Sequence, residues 1–122
     1  MVKKVIVVDD SRTARLQVIN ALAGTTFQVV EAVDGVDGME KLASHPDAAV
    51  VICDVNMPKM SGLEMLAEAM KGESSRGIPF LMLTTEAQPE LVQQAKQAGA
   101  KAWIIKPFKH DLLLAVVQRL AG

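Results

Sequence analysis

The sequence predicts a doubly wound α/β domain: five strands in one parallel sheet, with helices on both faces. Three observations carry this. Four short apolar runs, at 5–8, 50–53, 80–83 and 102–105, are continuous and largely β-branched, which suits strands covered on both sides. The segments between them place apolar residues at helical spacing instead. Glycine, proline and serine mark the changeovers, so strand and helix alternate as (βα)5, an order that selects a parallel sheet with right-handed crossovers.

After the run at 5–8, Ser11 can cap a helix over about 12–23, with Leu16, Ile19 and Leu22 on one stripe and Gly24 as its stop. The fifth strand, 27–32, carries Gln28 and Glu31, and a polar strand belongs at a sheet edge. A helix over 35–44 turns Val36, Met39, Leu42 and Ala43 inward until His45-Pro46-Asp47 breaks it. Another, over 62–71, buries Leu63, Leu66, Ala67 and Met70, and the Gly- and Ser-rich stretch 72–79 is the longest loop signal. Pro89 opens a fourth helix that Gly99 ends. The last covers about 108–120, with Leu112, Leu113, Val116, Val117 and Leu120 inward.

With 122 residues the chain suits one domain, 1–122, with no separate output domain. Thirteen Lys and Arg against 14 Asp and Glu leave a net charge of −1, which argues against direct nucleic-acid binding. The single Cys53 rules out an internal disulfide and fits a reducing compartment. No apolar stretch approaches the roughly 18 residues of a membrane span, and the first residues read as a strand rather than a signal peptide. The expectation is a cytoplasmic monomer without membrane attachment.

Each of the four apolar runs stops at a residue able to do chemistry: Asp9-Asp10, Asp54, Thr84 and Lys106. On neighbouring parallel strands these ends share one rim, where three carboxylates face one ammonium. Clustered carboxylates repel unless something compensates them. A hard cation does so, and Mg²⁺ suits a few carboxylates, waters and a phosphate, with Mn²⁺ as an alternative ion. Aspartate can attack phosphorus to give an acyl phosphate, and Asp54 is the candidate nucleophile. Mg²⁺ and Lys106 would neutralise phosphoryl oxygens, and the Thr84 hydroxyl could bond one of them. His45, before a proline, and His110, opening the last helix, lie off the rim and read as surface residues. With no histidine on the rim, the phosphoryl group is expected to come from elsewhere.

These residues resemble response-regulator receiver domains of two-component signalling, and among them the stand-alone chemotaxis regulators, over the whole chain. The resemblance lies in Asp9-Asp10-Ser11, in Asp54-Val55-Asn56-Met57-Pro58 followed by Gly62, in Leu83-Thr84-Thr85-Glu86-Ala87 and in Lys106-Pro107-Phe108, in family order and spacing. It implies a flavodoxin-like fold with strand order 2-1-3-4-5. In such sheets ligands sit at the carboxyl ends where the order reverses, a rule that this family itself exemplifies. It also implies roles: Asp54 as phosphoacceptor; Asp10, Asp9 (mostly through water), Asp54 and the Asn56 backbone carbonyl as Mg²⁺ ligands; Thr84 and Lys106 on the phosphoryl group; and a cis Lys106-Pro107 bond. Asn56 and Glu86 would modulate the chemistry. Trp103, Thr84 and Thr85 would carry the switch to a face made by helix 4, strand 5 and helix 5. The implied partners are a sensor histidine kinase or phosphotransfer protein, and an output protein such as a flagellar motor switch or another signalling protein.

Two positions depart from the family's usual residues. Trp103 stands where Tyr or Phe is common; it is bulkier and donates only through its indole N–H, so an inward rotamer is expected to fit poorly. Thr85 stands where a small residue is usual, and is expected to crowd the site or alter the loop behind Thr84. Three functions compete: a phosphorylatable switch that is not a turnover enzyme; a receiver-like interaction module that is no longer phosphorylated; and a phosphohydrolase working through an aspartyl phosphate. The last would want an acid two residues after Asp54, where Asn56 stands.

Overall fold

The computed structural model describes residues 2–122. Five strands and five helices alternate: β1 (Lys4–Val8), α1 (Arg12–Leu22), β2 (Gln28–Ala32), α2 (Gly35–Ser44), β3 (Val50–Cys53), α3 (Gly62–Lys71), β4 (Phe80–Thr84), α4 (Pro89–Ala98), β5 (Ala102–Ile105) and α5 (His110–Ala121). All strand pairs are parallel, in the order β2-β1-β3-β4-β5. The polar β2 is an edge strand, as its Gln28 and Glu31 predict, and both are exposed. β5 forms the other edge.

The period-2 alternation of the strands divides the core in two. Ile6, Val8, Val51, Cys53, Phe80 and Met82 face α2, α3 and α4. Val5, Val7, Val50, Ile52, Leu81, Leu83 and Ile104 face α1 and α5. Every residue of β3 and β4 is buried, which accounts for their unbroken apolar runs.

Helix starts obey the expected chemistry. The Ser11 side chain accepts from the Ala14 N–H, and Ser61 and Glu64 close a capping box on α3, worth about 1 kcal/mol. Gly24 and Gly99 take positive φ beyond α1 and α4. α5 begins at His110 rather than 108, after the Lys106–Pro107 bond, which is cis.

Several residues expected to face inward do not. Leu16, Val36 and Leu112 are 45%, 42% and 50% exposed, and Ala43 and Ala67 are also exposed. The buried stripes are Val18, Ala21 and Leu22 on α1, Met65, Leu66 and Ala69 on α3, and Leu113 and Val117 on α5. A helix lying on a sheet covers only a narrow stripe, so an apolar residue at the stripe's margin is left in solvent. His45 is half-buried rather than a surface residue: it caps α2, and its Nδ1 is buried without a hydrogen-bond partner. His110 is exposed and stacks on Phe108.

Candidate functional site

The rim is assembled by strand register. Val8 pairs with Cys53, so Asp9 and Asp54 leave adjacent strands side by side, and the Asp54 N–H donates to the Val8 carbonyl at 3.0 Å. The Asp9 N–H donates to Ala32 on the other flank, at 3.1 Å. Asp9 is buried, Asp54 half-buried and Asp10 exposed, and one carboxylate oxygen from each lies within 4.8 Å of the others. Oxygens facing each other across a Mg²⁺ ion stand about 4.2 Å apart, twice its ligand distance, so the spacing and the all-oxygen donor set fit such a cation.

Lys106 completes the cluster from β5, beyond β4. Its N–H holds the Thr84 carbonyl at 2.9 Å. Its side chain reaches over β4, and Nζ sits 2.7 Å from Asp9 Oδ2 and 3.2 Å from Asp54 Oδ2. The other carboxylate oxygens are held by main chain: Asp9 Oδ1 accepts from the Ser11 N–H at 2.9 Å, and Asp54 Oδ1 from the Val55 N–H at 2.7 Å.

Burial raises the Asp9 pKa above the usual carboxylate value despite the Lys106 and Ser11 hydrogen bonds. For Lys106, burial alone would lower the ammonium's pKa, but the bond to Asp9 and the charges of Asp9 and Asp54 together raise it. Cys53 lies beneath this rim with its thiol toward the Asp54 carbonyl, 3.3 Å away. Desolvation pushes its pKa far up, so it is an inert buried group.

Thr84, the last residue of β4, is fully buried, and its Oγ1 accepts from the Glu86 N–H at 3.3 Å. Glu86 makes two further bonds. Its carboxylate accepts from Asn56 Nδ2 at 2.6 Å, and its carbonyl accepts from the Trp103 indole N–H at 3.0 Å. The Trp103 ring is half-buried, with its donor satisfied, and packs against the core on the α4 side. The ring also lines a cavity of about 230 Å³ with Val92, Ala95 and Ala100. Thr85 is exposed.

Two residues of the site carry roles that the sequence does not announce. Gly62 reads there only as a helix start, yet a Cβ at this position would collide with the Asp54 carbonyl oxygen, so the loop can close behind Asp54 only with glycine. Arg15, on α1, donates from Nη1 to the Asp9 carbonyl at 2.8 Å and from Nε to Glu31 Oε1 at 2.8 Å. Its placement one turn past Ser11 is the available signal, because helical side chains lean toward the N-terminus.

One open parallel sheet thus gathers three acids, a buried threonine and a lysine at the carboxyl ends of its strands. The response regulator receiver domain matches residues 5–118, and the chain belongs to that family. It is 37% identical to the chemotaxis protein CheY1 of Helicobacter pylori, over 98% of this chain and 97% of that protein. The structure of Vibrio cholerae chemotaxis protein CheY4 superposes with a TM-score of 0.91 at 38% identity, covering 98% of this chain and 99% of that one. A Borrelia burgdorferi CheY, solved with CheX, BeF3 and Mg²⁺, matches at TM-score 0.90 and 27% identity, covering 98% of this chain and 90% of that one. Among the described residues, no helix is long and apolar enough to cross a membrane.

Proposed function

We propose that this response regulator is a cytoplasmic switch in which Asp54 accepts a phosphoryl group from a phosphohistidine or a small acyl phosphate. The observation that carries this reading is the Lys106 ammonium held between Asp9 and Asp54, at 2.7 and 3.2 Å, on an acidic rim with room for a cation. An Asp54 carboxylate oxygen bonds to phosphorus while the P–N or P–O bond to the donor breaks, and the donor leaves with that electron pair. Lys106 is already within reach of Asp54 Oδ2, so it can follow the new oxygens without rebuilding the loop. Asp9, Asp10, Asp54 and the Asn56 carbonyl would hold Mg²⁺, which neutralises phosphoryl charge. The chain accepts and loses the group by self-catalysis and is not a turnover enzyme.

Transmission then runs through Glu86. A phosphoryl group on Asp54 adds about −1.5 to −2 charges and new acceptors. Thr84 can turn its hydroxyl to that group and release the Glu86 N–H, which loosens the Asn56 and Trp103 bonds on the same residue. The face of α4, β5 and α5, with Ile105 and Leu112 exposed, changes its affinity for an output protein as a population shift. The donor would be a sensor histidine kinase or phosphotransfer protein. The likeness to chemotaxis proteins favours a motility output such as a flagellar motor switch.

The test is incubation with acetyl phosphate and Mg²⁺, with intact mass and phosphate release as readouts. One slowly lost phosphoryl group is expected. No incorporation would leave an interaction module, and rapid turnover a phosphohydrolase.

A further inference from the structure

Arg15 bears on the Mg²⁺ pocket without being one of its ligands, and its role there rests on the proposed binding of Mg²⁺ by the acid rim. The Arg15 side chain is only 12% exposed. Its guanidinium bridges two strands: Nη1 holds the Asp9 carbonyl at the end of β1, and Nε holds Glu31 on β2. The Asp9 carbonyl belongs to the peptide that joins Asp9 to Asp10, so its direction sets where both carboxylates leave the chain. Asp9 is tied on its other polar groups as well, through its N–H to Ala32 and its Oδ1 to Ser11. A planar fork fixes the angle between two acceptors, which a single flexible ammonium does not.

We propose that Arg15 is a positioning residue for the metal pocket, with the Arg15–Glu31 fork holding the Asp9-Asp10 peptide so that both carboxylates meet one divalent cation. Charge and geometry predict opposite signs. A cation beside the pocket repels Mg²⁺, so removing it would tighten binding if charge were its only effect. Loss of the fork loosens the ligands and weakens binding, as changes to groups that orient metal ligands commonly do.

The experiment is a MgCl2 titration of the unphosphorylated protein, monitored by amide NMR shifts around residues 9–11 and 53–55. Wild type, Arg15→Ala, Arg15→Lys and Val117→Ala are compared below their unfolding transitions. Both Arg15 variants are expected to bind Mg²⁺ about tenfold more weakly or worse. Val117→Ala, a core change on α5, is expected to lower the Tm and leave Mg²⁺ affinity unchanged. Arg15→Lys keeps the charge and most of the stem packing, so it decides the matter even if Arg15→Ala does not fold. Unchanged or tighter Mg²⁺ binding by Arg15→Lys would overturn the proposal. A wild type that binds no Mg²⁺ sinks the metal reading itself, so the two failures are told apart.

Discussion

The acid rim and the Trp103 corner lie on the same sheet but are built differently. Asp9 and Asp54 leave β1 and β3, strands paired on both sides, and their carboxylates are held by main-chain N–H groups and Lys106. Trp103 lies on β5, an edge strand, where its indole makes one hydrogen bond to a loop carbonyl and Ile105 is 40% exposed. The first region is held at several points, so its geometry is expected to persist when charge changes. The second rests on few contacts, each worth about 1 kcal/mol, so a modest input can shift it. Capture needs a fixed frame; response needs an element that little energy can move.

The contrast can be broken most severely at the rim. Asp54→Ala is expected to abolish incorporation from acetyl phosphate, read by intact mass, while the far-UV circular dichroism stays that of the wild type. Incorporation at another residue would remove Asp54 from its role. Gly62→Ala comes next, since its Cβ meets the Asp54 carbonyl oxygen. Urea unfolding should show a loss of about 3 kcal/mol, the upper end of ordinary substitutions, and a loss within about 0.5 kcal/mol would mean that the loop is softer than its packing indicates.

The pH response of the rim sharpens the contrast. Asp9 is raised from 3.8, so the folded form keeps its proton to higher pH than the unfolded chain. Its ionisation therefore costs folded-state stability as pH rises from 3.8 through the folded value. Since Mg²⁺ needs the carboxylate, its affinity should fall as pH drops through that window, with proton release on binding measurable by calorimetry in buffers of different ionisation enthalpy. Lys106 acts in the same direction, but at the alkaline end. It is raised from 10.5, so its stabilisation is complete below that value and lost as pH climbs through the higher folded pKa. An alkaline melting series should therefore show wild type losing stability above 10.5 relative to Lys106→Met.

Changes at the edge should be small. Trp103→Phe removes the N–H that Glu86 accepts and is expected to cost about 1 kcal/mol without altering incorporation. Its α4 NMR response to beryllofluoride should shrink; an undiminished response would take Trp103 out of the transmission path. Leu112→Ala, on the exposed side of α5, should change stability by no more than about 0.5 kcal/mol.

Much of this protein is legible without its fold. The alternation of strand and helix is a local signal, written in runs of four or five residues and in caps such as Ser11 and Ser61. The site residues are legible too, because a parallel sheet puts the residue after each strand on one rim, and Asp9, Asp54, Thr84 and Lys106 stand there. Helix faces are less so: Leu16, Val36 and Leu112 sit at the margin of an apolar stripe, and periodicity alone does not say which margin the sheet covers.

The class of fold, the identity of the chemical groups and their common rim can thus be read along the chain. How those groups are held emerges from the assembled fold. Lys106 bridges Asp9 and Asp54, 97 and 52 residues away; Arg15 ties Asp9 to Glu31; and Glu86 gathers Thr84, Asn56 and Trp103 into one node. Propensity and periodicity act over a few residues, whereas these bonds depend on which strands become neighbours and on angles between side chains. That choice is made by the packing of the whole sheet.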